Sequence, residues 1–172
     1  MESVTESSAA DYGAHPFNSV VETGFRALAV LEAFYPKSWD LTVLTWLDHL
    51  VVHTSDLGVV DAPPSLHPAL DSRGGELVVR RRLIEDSLRL MHGFHLVEII
   101  AEQDGIAYSA SEDAPSILGL LEAPYSRALR ERAQWLSETF SDSAKIAIVV
   151  EQQLGSWNAQ FGQGDLFDGL NT

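Results

Sequence analysis

Between residues 76 and 111 the hydrophobic period changes from helical to strand-like around a glycine, and this order limits the folds open to the chain. Leu77, Ile84, Leu88 and Met91 fall on one stripe at 3.6-residue spacing, while Arg81, Arg82, Glu85, Asp86 and Arg89 fall on the other. This predicts an amphipathic helix over residues 76–91. Gly93 follows, where a left-handed residue would close the helix at little steric cost. Residues 94–101 read as a strand. Asp104-Gly105 favours a tight hairpin turn, because both central residues tolerate positive φ, and residues 106–110 alternate as a returning strand. Helix, glycine, strand, turn and strand together outline a winged helix-turn-helix with a two-stranded wing. The expected class is therefore mainly α (α+β), a winged-helix core with C-terminal helices.

Two helices should precede this core. Asn18 or Ser19 can cap the first, over residues 18–35, with Val21, Phe25, Leu28 and Leu31 on its apolar side and Pro36 at its end. Ser38 or Asp40 caps the second, in which Val43, Leu44, Trp46, Leu47, Leu50 and Val51 leave a thin polar strip of Thr42, Thr45, Asp48, His49 and His53. The second helix should be the most buried element. Residues 55–75, with Pro63, Pro64 and Pro68, read as a long irregular connection, a feature usually functional or held by a partner. After the hairpin, helices are expected over residues 114–121 and 124–140 and from Ser141 or Asp142 to Gly155. Tyr125, Leu129, Ala133, Leu136 and Phe140 form the stripe of the longest, and Trp157, Phe161, Leu166 and Phe167 lie beyond in a glycine-containing acidic stretch. The expected organisation is a flexible arm over residues 1–15, one domain over 16–161 and an acidic, flexible tail over 162–172.

The 172 residues suffice for one core, and 45% hydrophobic with 21% charged residues is the composition of a folded globule. Without cysteine there are no disulfides, thiolate metal sites or Cys nucleophile. No apolar run approaches the roughly 20 residues of a membrane span, and the first residues are polar and acidic rather than a signal peptide, so a soluble, cytoplasmic protein is expected. With 25 acidic against 11 basic side chains the net charge is -14, and the mean field repels nucleic acid and anionic membranes.

The candidate chemistry does not converge. His49 and His53 have the spacing of a shared metal on one helix side, but Leu50 stands where a zinc protease carries its general-base Glu, and a third ligand could come only from Asp48, Asp56 or a distant residue. A polar helix edge is the preferred reading. His92 and His95, beside Gly93, read as caps at the negative end of a helix dipole. Asp48-His49 lacks a serine held on a strand-turn-helix element, and Arg73-Gly74-Gly75 lacks the Lys and Ser or Thr of a phosphate loop. No catalytic, cofactor or metal site is expected, and the chain is read as a non-enzyme. The one basic cluster, Arg80 to Arg82, sits on the helix that reads the major groove in DNA-binding winged helices. Against that use, Arg81 can pair with Glu85, and Arg82 with Asp86, four residues on. Arg80 falls within the apolar sector, so it should pair with a buried carboxylate or enter an interface.

A series of short stretches runs in order along the chain: Phe17-Asn18-Ser19, Gly24-Phe25-Arg26-Ala27-Leu28, Pro36-Lys37-Ser38-Trp39-Asp40-Leu41, Trp46-Leu47-Asp48-His49-Leu50 and His53-Thr54-Ser55-Asp56. It continues through Pro64-Ser65-Leu66-His67-Pro68, Gly75-Glu76-Leu77-Val78-Val79-Arg80-Arg81, Asp104-Gly105-Ile106-Ala107-Tyr108, Pro124-Tyr125 and Gly155-Ser156-Trp157 to Phe161. In these stretches the chain resembles the middle components of bacterial ABC-three-component (ABC-3C) systems. The chain departs from the pattern in its acidic tail and at Arg82, where an acidic residue is common. The resemblance implies a non-catalytic subunit encoded beside an SMC- or Rad50-like ATPase, similar to the small subunit of Lamassu-type systems. Such a subunit would link the ATPase to an effector, often a nuclease, in anti-phage or anti-plasmid defence, and would meet DNA only through the complex. Arg80, Arg81, Tyr125, Trp157 and Phe161 are the expected interface anchors, since arginine and aromatic side chains dominate interface energetics. The alternative is a small winged-helix DNA-binding transcription regulator in which the arginine cluster and the wing touch phosphate.

Overall fold

Ser19 opens the fold by accepting a hydrogen bond from the Glu22 N–H while the Glu22 carboxylate reaches back to the Ser19 N–H, and this capping box starts α1 (Val20–Ala33). The computed structural model describes residues 19–68 and 73–140 with Lys145, Ile146, Ile148, Val149 and Gln152, and the side chains of these residues apart from 73–78. The N-terminal arm, the tail, Trp157 and Phe161 lie outside the described residues, as does most of the helix expected after Ser141, of which those last five residues are helical.

A short strand, β1 (Trp39–Asp40), leads directly into α2 (Leu41–Val52), where the Asp40 carboxylate accepts the Val43 N–H at 2.8 Å. Nine of the twelve residues of α2 are buried, against eight of fourteen in α1, so α2 is the deeper helix. Its polar strip is not an edge facing water. Thr45, Asp48, His49 and His53 are all buried, and of that strip Thr42 alone is exposed.

A 3-10 turn (Thr54–Leu57) and the connection to Pro68 follow α2. The connection is tied down along its described length. The Leu66 and His67 N–H groups both donate to the Val52 carbonyl, the Thr54 hydroxyl donates to the Pro63 carbonyl, and Arg132 donates twice to the Pro64 carbonyl at 2.9 and 2.7 Å.

The helix α3 (Arg73–Gly93) begins and ends beyond the expected 76–91 and buries Ile84, Leu88 and Met91 against α1 and α2. Gly24 of α1 lets the two helices approach, since a Cβ there would lie 3.1 Å from the Met91 Cγ. Gly93 does not close α3. The left-handed residue is His95, at φ 60°, with the Leu96 N–H bonded to the Met91 carbonyl and the His95 N–H to the His92 carbonyl, the bonds of a Schellman cap. Buried Leu96 supplies its apolar contact, which explains why the chain continues two residues past the glycine before turning.

The strands β2 (Val97–Glu102) and β3 (Gly105–Ala110) form the hairpin, and β1 pairs with the other side of β3, Trp39 opposite Tyr108, giving a three-stranded antiparallel sheet in the order β1-β3-β2. The sequence suggests only two strands because a two-residue strand carries no period. The turn is also displaced by one residue. Glu102 pairs with Gly105 across Gln103-Asp104, and the positive φ, 141°, belongs to Gly105 alone. The chain then packs α4 (Ala114–Gly119) and α5 (Pro124–Thr139) on α1, with Leu129, Ala133 and Leu136 of α5 in the core. Mostly helical with one small sheet, the described chain is α+β. No described helix is long and apolar enough to cross a membrane.

Candidate functional site

Asp48 sits in the middle of the most buried helix, and the cost of ionising it there is met by two arginines from neighbouring helices. Arg26 Nε and Nη2, on α1, donate to its two oxygens at 2.5 and 3.1 Å, and Arg80 Nη1, on α3, donates at 2.6 Å. The three side chains are 2%, 1% and 5% exposed. Burial alone would push the Asp48 carboxyl up, but the guanidinium charges of Arg26 and Arg80 outweigh it and hold the group below its ordinary value. Burial would likewise lower Arg26, and the Asp48 charge and hydrogen bond reverse this to a net rise. Asp48 and Arg26 are thus held in their charged forms, and with Arg80 they lock α1, α2 and α3.

From His49, the residue after Asp48, the histidines continue the polar layer past the end of α2. His49 Nε2 donates to Asp56 at 2.9 Å, its ring stacks on His53 with centroids 4.5 Å apart, and His53 meets the edge of His67 at 5.8 Å. His67 Nε2 shares a hydrogen bond of 2.9 Å with the Tyr125 hydroxyl on α5. The His53 Nε2 has no hydrogen-bond partner among the described residues, and its pKa falls from 6.5 to about 3, first through burial and then through the charges of His49 and Arg80. His53 is therefore neutral. Among the described residues no three His, Asp or Glu side chains are placed to hold a metal ion. Burial raises the Tyr125 phenol, while Arg26, which also hydrogen-bonds the hydroxyl, opposes the rise. Tyr125 therefore joins the arginine triad to the histidine layer.

On its other side Tyr125 faces a groove of about 270 Å³ between α1, α4 and α5. Phe25 and Ala29, Leu118 and Leu121, and Leu129 supply apolar lining, with Glu22 and Arg130 as the charged members. The groove is smaller than the roughly 300–1,000 Å³ usual for small-molecule sites. Its size and lining suit one or two apolar side chains of another protein better than a cofactor.

The arginine cluster is dispersed by the fold. Arg80 takes the buried-carboxylate alternative, with Asp48 as its partner, and does not present its charge at a surface. Arg81 donates to the Thr42 hydroxyl at 2.9 Å rather than to Glu85. Glu85 and Asp86 are instead held by Arg89, at 2.5 and 3.4 Å, from the C-terminal side of the helix. His92, read as a cap, donates from Nδ1 to the Val97 carbonyl at 2.9 Å, and exposed His95 supplies the left-handed turn. Arg26 has no place among the sequence candidates, although an arginine between Phe25 and Leu28 on an apolar helix carries the same signal as Arg80. Of the expected anchors that are described, Arg80, Arg81 and Tyr125, only Tyr125 lines the groove.

A search of curated proteins and a search of solved structures return no match. The family model described as ABC-three component (ABC-3C) system Middle Component 2 matches residues 16–160, which include every helix and strand of the described fold. The chain belongs to this family of ABC-3C middle components.

Proposed function

We propose that the chain is a non-catalytic accessory subunit that binds an SMC- or Rad50-like ATPase and links it to an effector in a bacterial anti-phage or anti-plasmid defence complex of Lamassu type. The observation that carries this reading is the family match over residues 16–160, which makes the chain one component of a multi-component system. Its element order, helix, strand, two helices and a hairpin, supports a winged-helix core, a fold that serves protein docking as well as DNA reading. The groove beside Tyr125 is the proposed docking point, with Arg81, Trp157 and Phe161 as further anchors. Arg80→Glu would test the fold rather than an interface, because its partner is Asp48. DNA reading by α3 is less favoured, since Arg80 is internal and Arg89 is neutralised by Glu85 and Asp86. The test is co-purification of the full chain with the other components of its system, for the wild type and for Leu121→Glu at the groove. Loss of partner with unchanged circular dichroism supports the docking point. Full complex yield from Leu121→Glu removes the groove from the interface.

A further inference from the structure

Among the described residues the hairpin leaves one strand edge open, and its alternation of side chains specifies what can pair with it. The order β1-β3-β2 puts no described strand beyond β2. The Leu96 carbonyl accepts the Ser111 N–H at 2.9 Å, in the same register that pairs Glu98 with Ser109 and Ile100 with Ala107. In an antiparallel ladder bonded and non-bonded pairs alternate, so Leu96, Glu98, Ile100 and Glu102 direct their backbone groups to β3, and Val97, Ile99 and Ala101 direct theirs outward. The bond from His92 to the Val97 carbonyl agrees with this assignment, because it reaches that group from the end of α3. Among the described residues the N–H and C=O groups of Ile99 and Ala101 have no ladder partner, and they form a template for a further strand.

The two faces of this edge differ. Ile99 and Ala101 share a face with Ile106 of β3, and Ile99 and Ile106 are 42% and 56% exposed, so apolar surface continues from the core to the tip of the hairpin. Glu98 and Glu102 are exposed on the opposite face. We propose that the outer edge of β2 accepts an extended strand of a protein partner whose side chains alternate apolar and basic, apolar beside Ile99 and Ala101 and basic beside Glu98 and Glu102. Charge complementarity selects this occupant over a second copy. Two-fold pairing centred on Ile100 would put Glu98 of each copy opposite Glu102 of the other, and each copy carries a net charge of -14.

The test uses the full chain, labelled with nitrogen-15, titrated with a synthetic peptide of alternating valine and lysine and, separately, one of alternating valine and glutamate. The lysine peptide should shift and protect the Ile99 and Ala101 amides, bind about tenfold more tightly than the glutamate peptide, and weaken at high salt. The double variant Glu98→Lys, Glu102→Lys, both at exposed positions, should invert the preference. No shift at millimolar peptide, equal affinity for both peptides, or concentration-dependent protection of the same amides without peptide would each overturn the proposal, the last assigning the edge to a second copy. No other component of the system enters this experiment, so its failure would leave the docking groove untouched.

Discussion

Replacing Asp48 by Asn keeps its shape and removes the only negative charge in the triad with Arg26 and Arg80. The two guanidinium groups, 2% and 5% exposed, would then lose the carboxylate charge they share at the junction of α1, α2 and α3. Breaking a buried pair in this way costs about 3–5 kcal/mol, because an uncompensated ion stays out of water. Two arginines share this carboxylate, so about 4 kcal/mol or more is expected, a large part of the 5–15 kcal/mol that holds an ordinary domain. Urea unfolding followed by the fluorescence of buried Trp39 and Trp46 reads this directly, and with a slope of about 2 kcal/mol per molar the midpoint should fall by about 2 M. A companion carrying Arg26→Met, Asp48→Leu and Arg80→Met together should recover most of the loss, since apolar replacement of a whole buried ionic group is often neutral or stabilising. A loss below about 1 kcal/mol in Asp48→Asn would refute the reasoning, because the charges would then have to reach water.

His53 is neutral in the fold, with a pKa near 3 against 6.5 when free, so the unfolded chain binds its proton first as pH falls. Its share of stability is complete above pH 6.5 and declines toward pH 3, by about 2 kcal/mol at pH 5. The groups acting on it are His49 on α2, Asp56 on the 3-10 turn, His67 on the connection and Arg80 on α3. Wild type and His53→Asn compared by urea unfolding at pH 7 and pH 5 should differ in slope with pH, and equal slopes would contradict the assignment. Asp48, with its pKa lowered, adds a separate loss only as pH falls below 3.8. Tyr125→Phe removes the hydroxyl shared with His67 and Arg26 and should cost about 1–2 kcal/mol, with faster amide exchange at Leu66 and His67. His95→Gly relieves a left-handed side-chain-bearing residue at φ 60° and should raise stability by up to about 1 kcal/mol, read as a higher thermal midpoint.

The sequence made the elements legible where many residues repeat one period. α2, α5 and the hairpin follow from stripes and alternation, and Ser19 and Asp40 from cap chemistry. It misled where one local signal competed with tertiary packing. Gly93 has the conformational freedom to close α3, but burial of Leu96 is reached only if the helix runs on and His95 turns it. The polar strip on α2 could not be told from a solvated edge, because its partners Arg26, Arg80, His67 and Tyr125 come from four other segments. The position of Arg80 allowed either a buried carboxylate or an interface, and the choice between them, with Asp48 as the carboxylate, required the packing of α2 on α3. The groove was not legible at all, since it forms only where α4 and α5 meet α1.

The measurement closest to the proposed role is a tagged pull-down of the wild-type chain from its native cell at moderate salt, with mass spectrometry and light scattering of the eluate. An ATPase of SMC or Rad50 type in a fixed ratio to the chain is the expected result. A chain that elutes alone, or with DNA and no ATPase, would contradict its role as an accessory subunit.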